Sequence, residues 1–231
     1  MLSNKLLILP ILSVLLISPG VAQAEKMHGL AMHGVPKYDK NFTHLSYVNP
    51  DTPKGGTLRF GSYGSFDNLN RVAFKGSKAS GLGYINDTLM RRVWDEAFTL
   101  YGLIAEYIDM PEDRSSITFF INPNARFHDG SSITRDDVLF SLNTFQTKGT
   151  PNQKKTYGKV VKTQMIGDNG IKMIFVNNED KELPLIVAGF LPIIPKKYYE
   201  AILDEKLFIK GLRITGLRIC LLIKDYIILI I

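Results

Sequence analysis

Three sets of residues in this 231-residue chain have side chains and spacings that could do chemistry. Met27-His28 and Met32-His33 repeat at a five-residue interval, and soft thioether sulfur beside imidazole is a donor set for copper or nickel. His28 and His33 are therefore the candidate metal ligands, weighed against a packed or solvated arm. His128-Asp129 next to Ser131-Ser132 contains the residue types of a nucleophile, a base and an orienting acid. Neighbours in one tight turn cannot align a base on a nucleophile and an acid on the base, and no G-x-S-x-G elbow occurs. The turn reading is preferred, with Asp129 bonding backbone amides ahead of it and Phe127 reaching the core. Gly55-Gly56 and Gly81-Leu82-Gly83 lack the Lys-Ser/Thr of a phosphate loop. No enzyme is expected, and no cofactor.

The elements that hold these residues are legible between Leu103 and Phe145. Glu106–Met110 and Ile117–Ile121 are β-branched and aromatic runs either side of Pro-Glu-Asp-Arg, the pattern of a hairpin. Arg126-Phe127-His128-Asp129-Gly130 makes a tight reversal, with Gly130 available for positive φ. Thr134 and Asp137 form a capping box, and Val138, Leu142 and Phe145 share one helical face. Lys159–Ile166 and Ile171–Val176 flank Gly167-Asp168-Asn169-Gly170, a second hairpin signalled by the Asn-Gly pair. Ile85, Leu89 and Val93 recur at helical spacing and predict a helix over Asp87–Trp94, closed by Asp95-Glu96. Thr57–Gly61 reads as the first strand, Glu182–Gly189 as a short helix or turn, and Glu25–Gly55 as an extended lead-in on a domain surface. Hairpins with helices inserted between them give an α+β sheet domain.

A formal charge of +6 is scattered and contains no basic block, which argues against nucleic-acid binding. A hydrophobic content of 45% suffices for a globular core. The single cysteine, Cys220, cannot form an intramolecular disulfide. Lys5, the apolar run Leu6–Ser18 and Ala22-Gln23-Ala24 have the layout of an export signal cleaved after Ala24. The apolar run is shorter than a spanning helix of about 20 residues. The expectation is a monomer outside the cytoplasmic membrane, in the periplasm.

The block Leu103–Ser141, with its FHDG turn and DV-x-FS helix start, resembles the family 5 solute-binding proteins of peptide, nickel and oligopeptide ABC importers. His28–Gly34, Tyr47–Asp51, Pro53–Leu58, Asp95-Glu96, Tyr101–Leu103 and Leu191–Lys196 extend the match toward the subgroup named for the Yej peptide importer. The resemblance runs from about Met27 to Glu200. It implies a two-lobe periplasmic-binding-protein fold of type II, cluster C. In that frame residues 1–24 are the signal peptide, 25–64 the start of the large lobe, 65–190 the inserted small lobe and 191–200 the return. It also implies an oligopeptide ligand, permease subunits in the inner membrane as partners, and ligand contacts from Phe66, Asp67, Leu69 and Asn70. Arg71 stands where the family's loop has proline, and turn formation is the competing role for Asp67 and Asn70. The function implied is capture of peptides for delivery to the permease. The alternatives are a periplasmic nickel or copper binder using the Met/His arm, and a non-functional secreted fragment.

Residues 201–231 hold nine Ile and seven Leu and match no part of the family. Lys210, Arg213, Arg218 and Lys224 interrupt the apolar run, at a cost near a bilayer centre. The stretch reads as a frameshifted or prematurely ended tail, and the chain as written is expected to be poorly soluble and inactive in capture.

Overall fold

The computed structural model describes residues 26–53, 55, 61–67, 69, 76–177 and 179–202. The expected signal peptide, residues 57–60 of the strand expected at Thr57–Gly61 and the tail beyond residue 202 lie outside the described residues. Two antiparallel sheets share one core. The larger has the order β4-β5-β7-β6, from β4 (Ala105–Asp109), β5 (Ser116–Ile121), β6 (Val160–Ile166) and β7 (Gly170–Phe175). The smaller has the order β1-β3-β2, from β1 (Gly29–Ala31), β2 (Met90–Arg92) and β3 (Thr99–Gly102).

Both expected hairpins form. In the first, Ile108 faces Phe119 and Asp109 faces Thr118. Between the strands Arg114 takes a left-handed φ of 58° and sends its guanidinium to the carbonyls of Ala31, Met32 and Lys181. These acceptors offset a backbone conformation that costs a non-glycine residue energy. In the second hairpin Ile166 pairs with Gly170, and the turn is made by Gly167 at φ 54°. The turn, residues 167–169, lies inside the expected Gly167–Gly170 connection, with Gly170 taken up as the first residue of β7. Asn169 also serves β5: its Nδ2 donates to the Ile121 carbonyl, and its own carbonyl accepts from Ile121 N.

The helix α1 (Arg135–Lys148) starts where the capping box places it. Thr134 Oγ1 accepts from Asp137 N, and Asp137 Oδ2 accepts from Thr134 N at 2.9 Å. Val138, Leu142 and Phe145 are buried against the large sheet's cluster. A second capping box, Thr150 with Gln153, opens α2 (Pro151–Tyr157), whose first residue is the proline such positions favour. The helix α3 (Leu183–Phe190) matches the short helix read there, and α4 (Lys196–Ile202) follows.

Two expectations are overturned. Asp87–Trp94 is not helical; it holds β2, with Met90 opposite Gly102 and Arg92 opposite Leu100. Leu89 and Val93 are buried, as a helical period would also require, but the Leu89 carbonyl accepts from Leu103 N and Ala105 N. Thr88 Oγ1 donates to the Met90 carbonyl at 2.7 Å, a local bond that competes with helical closure. The lead-in is not wholly a surface arm. Its Gly29–Ala31 is β1, paired with β3, and Leu30 is buried in the shared core. Met27 and Ile108 exchange backbone bonds of 2.8 Å, which joins the two sheets at one edge.

Candidate functional site

The loop that the resemblance assigns to ligand contact is partly described. Asp67 N donates to the Ser77 carbonyl and Ser77 N donates to Asp67 Oδ1, each at 2.9 Å. This reciprocal pair ties Asp67 to Ser77, with the Asp67 carboxylate accepting from a backbone amide. Phe66 is 59% exposed, Leu69 is partly buried, and Asn70 lies outside the described residues. Tyr63 is also fully open to solvent, and Ser62 and Ser80 join their hydroxyls at 2.6 Å beneath it. The loop thus presents two aromatic rings outward from a hydrogen-bonded base.

The Met/His arm is engaged elsewhere. Met32 packs against the core and its Sδ accepts from Arg114 Nη1 at 3.0 Å. The His28 ring bonds the Tyr38 carbonyl through Nε2 at 2.7 Å, and His33 is exposed. Among the described residues no group of three or more His, Cys, Asp or Glu is placed to hold a metal ion. At the FHDG turn Asp129 Oδ1 accepts from Ser131 N at 2.9 Å and Ser131 Oγ at 2.6 Å. Those bonds hold its carboxyl below the usual range. His128 points into solvent and Gly130 adopts φ 86°. The turn reading of this cluster is the observed one.

The densest polar network lies where sequence spacing gives no warning. Asp95 Oδ2, in the β2–β3 turn, accepts from Lys37 Nζ at 2.7 Å, Ser46 Oγ at 2.8 Å and the Tyr38 hydroxyl. Glu96 accepts from Lys37 N at 3.0 Å and from the Tyr101 hydroxyl at 2.6 Å. Tyr38, Phe42 and Tyr101 form a ring triad with centroids 5.3 to 5.5 Å apart. The lead-in partners lie 49 to 59 residues from the acidic pair, which reads locally as a helix end.

A second network ties the chain's return to its entry. Ile193 N donates to the Asp87 carbonyl at 2.8 Å and Asn86 Nδ2 donates to the Ile193 carbonyl. From the opposite side Ile194 N donates to Ser141 Oγ, and Lys196 N to Asp137 Oδ1, each at 2.9 Å. The segment after α3 is therefore held between the residue pair before β2 and the first turns of α1.

The family model described as bacterial extracellular solute-binding proteins, family 5, middle region, matches residues 99–211, from β3 past α4, and so corrects the expectation that the resemblance stops at Glu200, since 201–211 lie within the match. The peptidoglycan-binding protein YepA of Agrobacterium fabrum is 39% identical over 204 residues, 84% of this chain and 33% of that protein. The probable peptide-binding protein YejA of the same organism is 37% identical over 203 residues, 86% of this chain and 33% of the relative. YejA of Escherichia coli K12, which is uncharacterized, is 39% identical over 188 residues, 80% and 30% respectively. The chain spans about a third of the length of the curated relatives it matches. With the hairpin, the capped helix and the clamped return all inside the matched stretch, this chain belongs to the bacterial extracellular solute-binding proteins of family 5, in the Yej-type group.

Proposed function

We propose that this chain contributes to the substrate-binding component of an ABC importer that captures peptides in the periplasm and delivers them to permease subunits of the inner membrane. The observation that carries the reading is the family match over β3 to α4 together with relatives whose names specify peptide or peptidoglycan. Those names meet in one chemistry, because peptidoglycan carries short stem peptides. A peptide binder needs backbone and short polar groups for the main chain and tolerant pockets for side chains, in a cleft between lobes. Residues 65–190 are assigned to the small lobe, 25–64 and 191–200 to the large one. Phe66 and Leu69 supply apolar contact in that reading, with Asp67 holding the loop in shape. Binding and release are the whole of the chemistry, with no catalytic step and no cofactor, and the protein acts as a monomer.

The test joins residues 1–200, export signal included, to the matching remainder of the peptide-binding relative from Agrobacterium fabrum and titrates the joined protein with peptides of two to five residues. Saturable heats with dissociation constants in the micromolar range are expected. A folded joined protein that ignores peptides, yet takes up Ni(II) or Cu(I) stoichiometrically unless His28 and His33 are changed to Ala, would overturn the reading. Export is tested separately by intact mass. Periplasmic material should begin at Glu25, and a membrane fraction that retains Met1 would reject cleavage after Ala24.

A further inference from the structure

We infer that residues 37–46 form a strap that is fastened at both ends by the adjacent carboxylates Asp95 and Glu96 and detaches from the β2–β3 turn as one unit. This inference is independent of what ligand the protein carries. The strap has the shape of a compact surface loop whose ends meet. Lys37 at one end and Ser46 at the other converge on the same oxygen, Asp95 Oδ2. Between them, Asn41 N donates to Asp39 Oδ1 at 2.7 Å and Phe42 N to the Asp39 carbonyl at 3.2 Å, so the middle of the loop keeps its own turn. Ser46 N donates to the Tyr38 hydroxyl at 2.9 Å, tying the two ends to each other. Tyr38 N donates to the Tyr101 hydroxyl at 3.0 Å, while that hydroxyl donates to Glu96. Removing the charge at Asp95 weakens the side-chain fastening of both ends at once, and leaves the Lys37 end the backbone bond to Glu96.

The residue before the strap is fitted rather than loosely placed. A Cβ added at Gly29 would lie 3.0 Å from Pro36 Cγ, so β1 at this position leaves room for the proline and nothing more. The receptor turn is itself held in an uncommon shape. Phe98 adopts φ 53°, and its carbonyl accepts from Met32 N at 3.0 Å. Strained turns persist where surrounding contacts over-determine them, and here the strap and β1 supply those contacts.

The charges around the fastening are Lys37 and the Tyr38 hydroxyl from the strap, Glu96 from the same turn, Tyr101 from β3 and His28 from the residue before β1. The Lys37 ammonium, then the Tyr38 hydroxyl, hold the Asp95 carboxyl far below the usual carboxylate range. Asp95 in turn raises Lys37, and burial, then the bond to Glu96, raises Tyr101. A carboxylate depressed by folding contributes stability above its unfolded pKa and loses it as pH falls through the folded value. The strap therefore stays fastened throughout the neutral and mildly acid range and opens only below about pH 4.

The Trp94 indole beside Asp95 is 89% exposed and makes no ring contact with the strap among the described residues, so docking is read instead from the near-ultraviolet circular dichroism of the Tyr38, Phe42 and Tyr101 rings, which pack together only while the strap is seated. In an acid titration of the full chain, the transition in that signal is expected below the ordinary carboxylate range. At neutral pH, Asp95→Asn should speed tryptic cleavage after Lys37 and Lys40 by about fivefold, the modest effect that an exposed but three-donor carboxylate allows. Amide exchange in β5 and β7 should not change. Tyr38→Phe, which keeps the ring packing and the charge, should give an intermediate rate and serves if Asp95→Asn fails to fold. The inference is overturned by a wild-type transition near pH 4. It is equally overturned by cleavage unchanged in the variants, or by β5 and β7 exchange rising in step with cleavage.

Discussion

Phe119→Ala is expected to lower the stability of the chain by about 3–5 kcal/mol, the cost of emptying a large aromatic site in a packed core. Phe119 is fully buried on β5, which has a strand on either side of it. Its cross-strand neighbours are Ile108 on β4 and Ile171 on β7, both also fully buried. The cavity would thus open at the centre of the larger sheet, where neighbours on both sides are themselves fixed by pairing and cannot collapse inward. Domains of this size unfold at a cost of about 5–15 kcal/mol, so the variant should sit close to its unfolding transition at room temperature. Urea unfolding followed by circular dichroism checks this. A loss under about 1 kcal/mol would mean that the sheet does not close over Phe119.

The second large effect is at a polar residue. Asp137→Ala is expected to cost about 2–4 kcal/mol, whereas Thr134→Ala should cost about 1 kcal/mol. The difference arises because Asp137 serves two elements. Its Oδ2 accepts from Thr134 N at 2.9 Å and Thr134 Oγ1 at 2.7 Å, which starts α1. Its Oδ1 accepts from Lys196 N, which fixes the start of α4. The residue is buried, so these donors would not be re-solvated freely after truncation. A carboxylate in the first turn also faces the positive end of the helix dipole. Parallel urea curves for the two variants decide the matter. Equal costs would show that the bond to Lys196 N contributes nothing and that the return segment is held by Ser141 and Asp87 alone.

What could be read from the residues follows the range of the interactions involved. The Thr134–Asp137 box and the Asp129–Ser131 turn span three residues or fewer, and both are present as read. The two hairpins were legible because alternation and turn residues lie within a short window. What the window could not show in the second is that Asn169 also bonds β5, a partner nearly fifty residues away. Asp87–Trp94 satisfied a helical period with Ile85, Leu89 and Val93, yet pairing with β3 took its backbone groups. Single apolar periods cannot distinguish these outcomes when a strand is three residues long. The Asp95–Lys37–Tyr38 fastening depends on a separation of nearly sixty residues and leaves no local trace. Of the proposed ligand loop, the bonds of Asp67 to Ser77 are visible, while its ligand-facing role came from resemblance. The acid response follows from the same local geometry. Asp113, bonded by Ser115, and Asp129, bonded by Ser131, are both held low, as Asp95 is. Stability from these carboxylates is present above the unfolded value and is lost only as pH falls through their depressed folded values.

The most direct measurement of the central claim is mass spectrometry of the small molecules released when the joined protein, isolated from the periplasm without added ligand, is denatured. Peptides of a few residues, released in near-stoichiometric amount and missing from a mock preparation, are the expected result. A stoichiometric nickel or copper ion with no peptide, lost when His28 and His33 are changed to Ala, would contradict it.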